Sequence, residues 1–420
     1  MYHYVIEIIR SFYTQASAHS NLGEAAACEP ECMRHPRNMW ANAHILQQGS
    51  KLLQSASLAD NRPIPASEFS GEIPMSAVLQ PSVAADRKSF YDRIGKANVT
   101  PLWEVLHALI TPTPHTPCKP YLWKWEQMWP WIQDAGRLIT AKEAERRVLV
   151  LENPGLRGRS CVTHSLYAGL QLILPGEVAP AHRHSQSALR FILLGRGAYT
   201  AVGGEKVTMG VGDFVITPSW TFHDHGNPSD EPMVWLDGLD VPLVELLDAQ
   251  FMEKGLQETQ RTHLTQGDNL AQFGNTMKPL EYRAKSRTSP LFWYPYDRTR
   301  EALGTMARGR DPHPCWGHKL QYTNPVTGDW AMPTIGTFMQ LLPKGFRGQD
   351  YRSTDSTVYA AVEGGGQCRV GGETLVFGPR DVFVCPSWLP YRLEADEETV
   401  LFSFSDRPVQ QALDLWREAF

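Results

Sequence analysis

Two pairs of histidines in this sequence have a spacing that could support metal chemistry. His182 and His184 lie in PAHRHSQSALR, and His223 and His225 lie in TFHDHGN. Because side chains alternate between the two faces of a β-strand, both members of a pair should point to the same face. Two imidazoles from one strand and a third from a neighbouring strand could bind one divalent metal ion. Three neutral nitrogen ligands suit a borderline metal and leave coordination positions free for substrates.

The histidines lie in a pattern of short strands that occurs twice in the chain. Apolar runs such as LYAGLQLIL, ALRFILLG and PMVWLDG are separated by Gly, Pro and Asn, which is typical of an antiparallel barrel or sandwich. The matching positions, 169 residues apart early and 168 late, are Gln171 with Gln340, Gly203-Gly204-Glu205 with Gly371-Gly372-Glu373, and Pro218-Ser219-Trp220 with Pro386-Ser387-Trp388. We therefore expect an all-β dominated fold with two copies of one small barrel.

The second copy lacks the histidines of the first. Alignment of the copies replaces His182, His184 and His223 by Tyr351, Ser353 and Tyr391. No three-histidine set can form there, so we expect the second barrel to be metal-free. Arg352, Asp355 and Tyr391 could still form a polar pocket in it.

The segments around the two copies differ from them in character. Residues 1–86 show no sustained period, whereas Leu102, Val105, Leu106 and Leu109 follow helical spacing. We expect a poorly ordered N-terminal extension over 1–86, a helical lead-in over 87–145, an N-terminal barrel over 146–250, an inter-barrel linker with helices over 251–330, a C-terminal barrel over 331–408 and a C-terminal helix over 409–420.

The composition excludes several classes of function. A net charge of −5 with no basic stripe gives no basis for nucleic-acid binding, and no stretch approaches 18 apolar residues, so no membrane partner is expected. Seven cysteines without regular spacing do not form a disulfide framework, and a cytoplasmic location is the expectation. Cys28, Cys32 and His35 have ligand side chains, but a fourth zinc ligand with matching spacing is missing.

The residues around the histidines resemble a known family. Gly176-x5-His182-x-His184 and Gly212-x5-Pro218-x-Trp220-x2-His223-x3-Asn227 resemble the two signature motifs of the cupin superfamily of jelly-roll barrels. LYAGLQLILPGEVAPAHRHSQSALRF, GDFVITPSWTFHDHGN and WLDGLD resemble the gentisate 1,2-dioxygenase family, which includes salicylate and 1-hydroxy-2-naphthoate dioxygenases. The resemblance covers about residues 88–420. It implies a bicupin, generally homotetrameric, that uses Fe(II) and O2 to open the ring of a small aromatic hydroxy acid.

The resemblance also implies roles for individual residues. His182, His184 and His223 would bind one Fe(II) per subunit. Ala188 and Leu189 stand where many cupins have a glutamate ligand, so more positions are open, and the higher net charge of the metal favours an anionic chelating substrate.

The remaining candidate residues would bind and orient the substrate. Arg190, six residues after His184, is placed to pair with the substrate carboxylate, because its planar fork can bind bidentately. His225 would bond the substrate's hydroxyl or carboxylate, or transfer a proton. The other positions that match the family's pocket are Gln171, Arg146, Asp237 and Tyr167, of which Tyr167 would influence substrate choice.

The preferred function is that of a gentisate dioxygenase that produces maleylpyruvate. Salicylate, a substituted salicylate or 1-hydroxy-2-naphthoate is the alternative substrate, because a few pocket side chains change discrimination by only ~1–3 kcal/mol. A metal-dependent cupin isomerase would normally keep the glutamate that is absent here. A storage or ligand-binding bicupin without catalysis remains the third class.

Overall fold

The structure, a computed structural model, describes residues 81–420. Helix α1, Pro81–Lys96, is the main element of its first unit, which ends at Val99, and the second unit is Thr100–Phe420. The predicted extension over 1–86 lies outside the described residues except for 81–86, which begin helix α1. Cys28, Cys32 and His35 also lie outside them. Among residues 81–420, no helix has the length and apolar character needed to cross a membrane.

The second unit consists of short helices and many antiparallel strands. Its helices are α2 (Leu102–Leu109), α3 (Trp125–Leu138), α4 (Ala141–Ala144), α5 (Val241–Leu246), α6 (Asp268–Phe273), α7 (Tyr296–Gly309) and α8 (Arg407–Ala412). Its strands up to the end of the linker are β1 (Tyr121–Trp123), β2 (Arg147–Val150), β3 (Tyr167–Ile173), β4 (Val178–His184), β5 (Ala188–Leu194), β6 (Tyr199–Val202), β7 (Glu205–Thr208), β8 (Phe214–Thr217), β9 (His223–Gly226), β10 (Met233–Leu239), β11 (Met252–Lys254), β12 (Trp293–Tyr294) and β13 (His318–Gln321). The remaining strands are β14 (Gly336–Leu342), β15 (Phe346–Arg347), β16 (Arg352–Ser353), β17 (Thr357–Glu363), β18 (Gly366–Val370), β19 (Glu373–Phe377), β20 (Val382–Cys385), β21 (Tyr391–Ala395), β22 (Thr399–Ser405) and β23 (Glu418–Ala419).

The N-terminal barrel has two antiparallel sheets. The six-stranded sheet has the order β12-β8-β5-β10-β3-β2, and the five-stranded sheet has the order β11-β4-β9-β6-β7. Strands β3, β5 and β10 are buried along nearly their whole length, because one face lines the barrel and the other packs against the second barrel. The histidine strands β4 and β9 are neighbours in the five-stranded sheet.

The C-terminal barrel repeats this arrangement. Its six-stranded sheet has the order β1-β20-β17-β22-β14-β13, its four-stranded sheet the order β15-β21-β18-β19, and β16 pairs with β23. The predicted bicupin architecture, dominated by strands with a helical lead-in and helices in the linker, is confirmed.

One apolar core joins the two barrels. The rings of Phe191 on β5 and Phe402 on β22 stack with centroids 4.1 Å apart and planes within 3°, and both side chains are buried. Beside them, a Cβ atom at Gly238 would lie 2.9 Å from the side chains of Leu189 and Phe404, so the barrels approach too closely there for any larger residue. The outer faces of the two six-stranded sheets therefore bury each other.

The element boundaries differ from the predicted ones in three places. The lead-in contains strand β1, which pairs with β20 of the C-terminal barrel. The linker contributes β11 and β12 to the sheets of the first barrel, where they pair with β4 and β8. These pairings join residues that are distant in sequence, so the local pattern of apolar residues cannot predict them.

The third difference concerns the C-terminal helix, which was expected over 409–420. Helix α8 begins two residues earlier, with Pro408 in its first turn, where a missing N–H costs nothing. It ends at Ala412, because Asp414 adopts a left-handed backbone conformation with φ of 57°. Residues Glu418–Ala419 then pair with Arg352–Ser353 as β23.

We predict that Phe402→Ala lowers the free energy of unfolding by about 3–5 kcal/mol, because it leaves a cavity at the stacked contact between the barrels. Urea unfolding followed by tryptophan fluorescence measures the change. Val376→Ala is the matched control, since Val376 is 61% exposed and should change stability by less than about 0.5 kcal/mol. Equal effects of the two substitutions would show that the inter-barrel core does not carry stability.

Candidate metal centre and substrate pocket

Strand pairing brings the histidines of the two motifs together. His182 on β4 lies directly opposite His223 on β9, next to a register shift between Ala179 and His182. The alternation of side chains places His184 on the same face as His182. The ring centroids of His182 and His223 are 4.4 Å apart, those of His184 and His223 are 4.9 Å apart, and those of His182 and His184 are 5.2 Å apart.

The geometry of this cluster suits a shared metal ion. One ligand atom of each of His182, His184 and His223 lies within 4.8 Å of the other two. A divalent ion with metal–nitrogen bonds of about 2.0–2.1 Å would place its nitrogen ligands roughly 3 Å apart, a separation that falls within the 4.8 Å limit that these atoms meet. Among residues 81–420, no other group of His, Cys, Asp and Glu meets the same criterion.

Backbone carbonyls fix the tautomer of all three rings. A carbonyl oxygen only accepts, so each Nδ1 carries the hydrogen and each Nε2 keeps a lone pair for a metal. The bonds join His184 Nδ1 to the Gln186 carbonyl at 2.9 Å, His223 Nδ1 to the Thr221 carbonyl at 2.9 Å and His182 Nδ1 to the Pro180 carbonyl at 3.4 Å. His223 Nε2 is buried without a hydrogen-bond partner in the described chain, as expected for a ligand atom.

The cluster is neutral before any ion binds. Burial, with Arg146 and a neighbouring imidazole, lowers the pKa of His182 to about 3. Burial also lowers the pKa of His184 to about 4 and that of His223 well below its usual range, with Arg190 acting in the same direction. Neutral imidazole is the form that binds metals, so little proton release accompanies metal binding at neutral pH.

Arg190 is held beside the cluster by residues of adjacent strands. It lies on β5 opposite Asp237 of β10, and its Nε is 3.7 Å from Asp237 Oδ1. Its Nη1 donates to Thr217 Oγ1 at 2.6 Å, and Asp237 Oδ1 accepts from Trp235 Nε1 at 3.0 Å. The Nε atom of Arg190 makes no hydrogen bond among the described residues, so the buried guanidinium has donors to spare.

Two arginines supply the positive charge of the pocket. The buried carboxyl of Asp237 acts on both Arg146 and Arg190, and Glu145 and Asp224 also act on Arg146. Burial raises the pKa of Asp237 to about 6, although Arg190 and the Trp235 hydrogen bond oppose the shift. Burial and the neighbouring Arg190 lower the pKa of Arg146 to about 10, and burial also lowers the pKa of Arg190, although Asp237 opposes that shift. Because arginine side chains stay protonated in proteins, both guanidinium groups are charged at neutral pH. Such a pocket attracts an anion.

His225 is buried beside the cluster, with its ring 5.7 Å from that of His223. Its Nδ1 lies 2.8 Å from the Thr200 hydroxyl on β6, and its ring packs edge-on against Trp235 at 5.6 Å. The Nε2 atom is buried and has no partner in residues 81–420. This nitrogen is therefore available to a bound molecule.

The other predicted pocket residues are Gln171 and Tyr167 on β3 and Arg146, which directly precedes β2. Gln171 is buried on β3 opposite Trp235. Tyr167 begins the same strand, and its hydroxyl would lie 2.8 Å from a Cβ atom at Gly169, which requires glycine there. Arg146 donates to the Pro180 carbonyl at 2.8 Å and lines a cavity of about 780 Å3 together with His182.

Thr200, Thr217 and Trp235 were not singled out from the sequence. Thr200 is the one polar residue within β6 and contacts His225, whereas Thr217 ends β8 and contacts Arg190, and neither position carries a distinctive sequence signal. Trp235 stands two residues before Asp237, which puts the two side chains on one strand face.

The corresponding place in the C-terminal barrel has different chemistry. Tyr351 forms a bridge with Tyr391, as His182 pairs with His223 in the first barrel. The Tyr351 hydroxyl donates to Glu418 Oε2 at 2.9 Å. Arg352, predicted as part of a polar pocket, is exposed and lies over the Trp388 ring at 4.9 Å.

Comparison with known proteins identifies a cupin domain and two related gentisate dioxygenases. Residues 169–240 match the cupin domain. Gentisate 1,2 dioxygenase 1 of Aquipseudomonas alcaligenes is 54% identical over 345 residues, covering 82% of this chain and 99% of that protein. A gentisate 1,2-dioxygenase of a Streptomyces species is 39% identical, covering 76% of this chain and 92% of its own.

A solved structure agrees with these relatives. Salicylate 1,2-dioxygenase from Pseudoaminobacter salicylatoxidans, crystallised as adducts with gentisate, superposes with a TM-score of 0.76 at 34% identity. The match covers 82% of this chain and 96% of that one. On the strength of its sequence relatives and its two barrels, the chain belongs to the gentisate 1,2-dioxygenase family.

Proposed function

We propose that the protein is an Fe(II)-dependent gentisate 1,2-dioxygenase that opens gentisate with O2 to give maleylpyruvate. The observation that carries this proposal is the convergence of His182, His184 and His223 beside the buried guanidinium of Arg190. The 54% identity to a gentisate dioxygenase supports gentisate over the alternative salicylates and 1-hydroxy-2-naphthoate. Against an inert storage protein stands the retention of three clustered histidines in the first barrel.

His182, His184 and His223 would hold the iron through Nε2. The donor set fits a ferrous ion, because three neutral imidazoles without a carboxylate leave several positions for other ligands. When bound there, ferrous iron supplies the electron density that activates dioxygen and the charge that binds the carboxylate and hydroxyl oxygens of the substrate.

Arg190 would bind and orient the substrate carboxylate. Thr217 and Asp237 hold the guanidinium from two sides, which fixes the direction of its remaining N–H groups. Because the group is only 3% exposed, its attraction to a carboxylate is little screened by water. Arg146 would add a second positive charge at the entrance cavity that it shares with His182.

His225 would contact the substrate hydroxyl through its free Nε2. The Thr200 hydroxyl at Nδ1 fixes the ring, so Nε2 can exchange a proton with the phenolic oxygen without reorienting. Gln171 and Tyr167 would complete the pocket around the ring, and Tyr167 would affect which substituents fit.

The homotetramer and the cytoplasmic location belong to the same proposal. Four exposed apolar side chains lie in and just before strand β11, which pairs with β4. Such a group of exposed apolar side chains is typical of an interface between subunits. These side chains are Leu246, Leu247, Phe251 and Met252.

Oxygen uptake by the anaerobically iron-loaded protein tests the proposed reaction. We expect rapid uptake with gentisate, with formation of the ring-opened product, and lower kcat/KM with salicylate and 1-hydroxy-2-naphthoate. Higher kcat/KM with salicylate would reassign the substrate. No iron-dependent uptake with any of the three acids would overturn the proposal.

Metal analysis should give one iron per chain. His223→Ala should abolish iron retention, since it removes one of three ligands, whereas Tyr391→Phe at the equivalent place in the second barrel should leave the iron content unchanged. Inductively coupled plasma measurements on the two variants and the unmodified protein make the comparison. Two irons per chain, with one retained in His182→Ala, would contradict a single site.

Arg190→Lys should lower kcat/KM for gentisate by roughly 10–150-fold, the equivalent of about 1.5–3 kcal/mol for a lost charged hydrogen bond. Lysine keeps the charge beside Asp237 but lacks the planar fork. Iron content should not change. Arg196→Lys, at an exposed hairpin position, is the control. The role assigned to Arg190 is wrong if the two variants have equal kcat/KM.

A further inference from the structure

The interior of the C-terminal barrel contains a lysine where the first barrel has an apolar residue. Lys319 on β13 lies directly opposite Gln340 of β14. In the first barrel, Val148 on β2 lies opposite Gln171 of β3, which is the repeat partner of Gln340. The second barrel therefore replaces the metal-binding histidines and also gains an interior cation.

The ammonium group of Lys319 has no counter-ion within the described part of the chain. Among residues 81–420, its Nζ makes no hydrogen bond or ion pair, and it lies 4.4 Å from the ring centroid of Phe338 and 5.6 Å from that of Tyr359. Contacts with aromatic faces compensate only part of the cost of burying a charge. Burial and the neighbouring Arg407 lower the pKa of Lys319 to about 7.

Asp355, whose charge acts on Lys319, already has other partners. Asp355 Oδ2 lies 3.3 Å from Arg407 Nε, and its Oδ1 accepts from Trp416 Nε1 at 2.8 Å. Arg407 also donates to the Tyr351 hydroxyl at 3.2 Å. Asp355 therefore already has two partners, and no hydrogen bond or ion pair joins it to Lys319 in the described part of the chain.

Two polar groups on the same face lack partners. Gln340 Oε1 and Ser403 Oγ are buried with no hydrogen bond in the described chain, and both residues are fully buried. Ser403 on β22 is flanked by Phe338 on one neighbouring strand and Tyr359 on the other, the two rings that Lys319 contacts. The ammonium group of Lys319, the amide oxygen of Gln340 and the hydroxyl of Ser403 therefore face one small region of the barrel interior.

We propose that this region binds a small hydroxycarboxylate, whose carboxylate pairs with Lys319 and whose hydroxyl bonds Gln340 Oε1, while Ser403 Oγ donates to a carboxylate oxygen. A ligand of this kind supplies the missing counter-charge and satisfies both unpartnered atoms. Such a ligand would enter past Lys319, because β13 is an edge strand and the residue is partly exposed, whereas Gln340 and Ser403 are fully buried behind it. The proposal does not rest on the ring-cleavage reaction.

Calorimetric titration of glycolate into the iron-loaded, full-length protein tests the site. We expect glycolate to bind more tightly than acetate, which lacks the hydroxyl, and neutral glycolamide not to bind. Lys319→Met should weaken this binding at least tenfold without changing gentisate turnover. Arg190→Lys should leave glycolate binding at Lys319 intact. This result would distinguish the Lys319 site from any glycolate binding in the first barrel.

Ser403→Ala is the second variant, because it removes one hydroxyl and is the least disruptive change in the barrel. It should weaken glycolate binding several-fold. If Lys319→Met does not fold, reductive methylation of the unmodified protein replaces it, with glycolate expected to protect Lys319 as seen by mass spectrometry. Equal affinity in Lys319→Met and the unmodified protein, or no protection of Lys319, would overturn the proposal.

Discussion

The candidate metal centre depends on hydrogen bonds from imidazole Nδ1 atoms to backbone carbonyls two residues away. These bonds fix each ring to the strand that carries it, and they leave the Nε2 atoms free to meet between β4 and β9. The register of two neighbouring strands then determines the ligand separation. The rest of the site depends on this constraint. Arg190 and His225 can contact a metal-bound substrate only if the metal position is fixed at a suitable distance from them.

The two barrels show how one scaffold supports different interiors. In the first barrel Arg190 lies opposite Asp237, and in the second Tyr359 lies opposite Ser403 at the equivalent strand pair. The outer faces of both barrels are used identically, in the shared core around Phe191 and Phe402. The contact between the barrels thus constrains only the outer face of each six-stranded sheet. The inner faces can therefore differ between the two barrels.

Much of the site could be predicted because its signals are local. Alternation along a strand relates His182 to His184, and the repeat revealed the two barrels. Thr200 and Thr217 could not be predicted, since a threonine in a strand has no distinctive spacing and its partner lies on another strand. Strand β1 and the end of helix α8 were missed for a related reason, because pairing with β20 and the backbone of Asp414 decide them.

X-ray absorption spectroscopy of the anaerobic ferrous protein, before and after addition of gentisate, tests the central claim most directly. The account predicts a first shell with three imidazole nitrogens that persists when gentisate binds, while the remaining light-atom ligands are exchanged for substrate oxygens. A thiolate or a protein carboxylate in the first shell, or loss of an imidazole on gentisate binding, would contradict it.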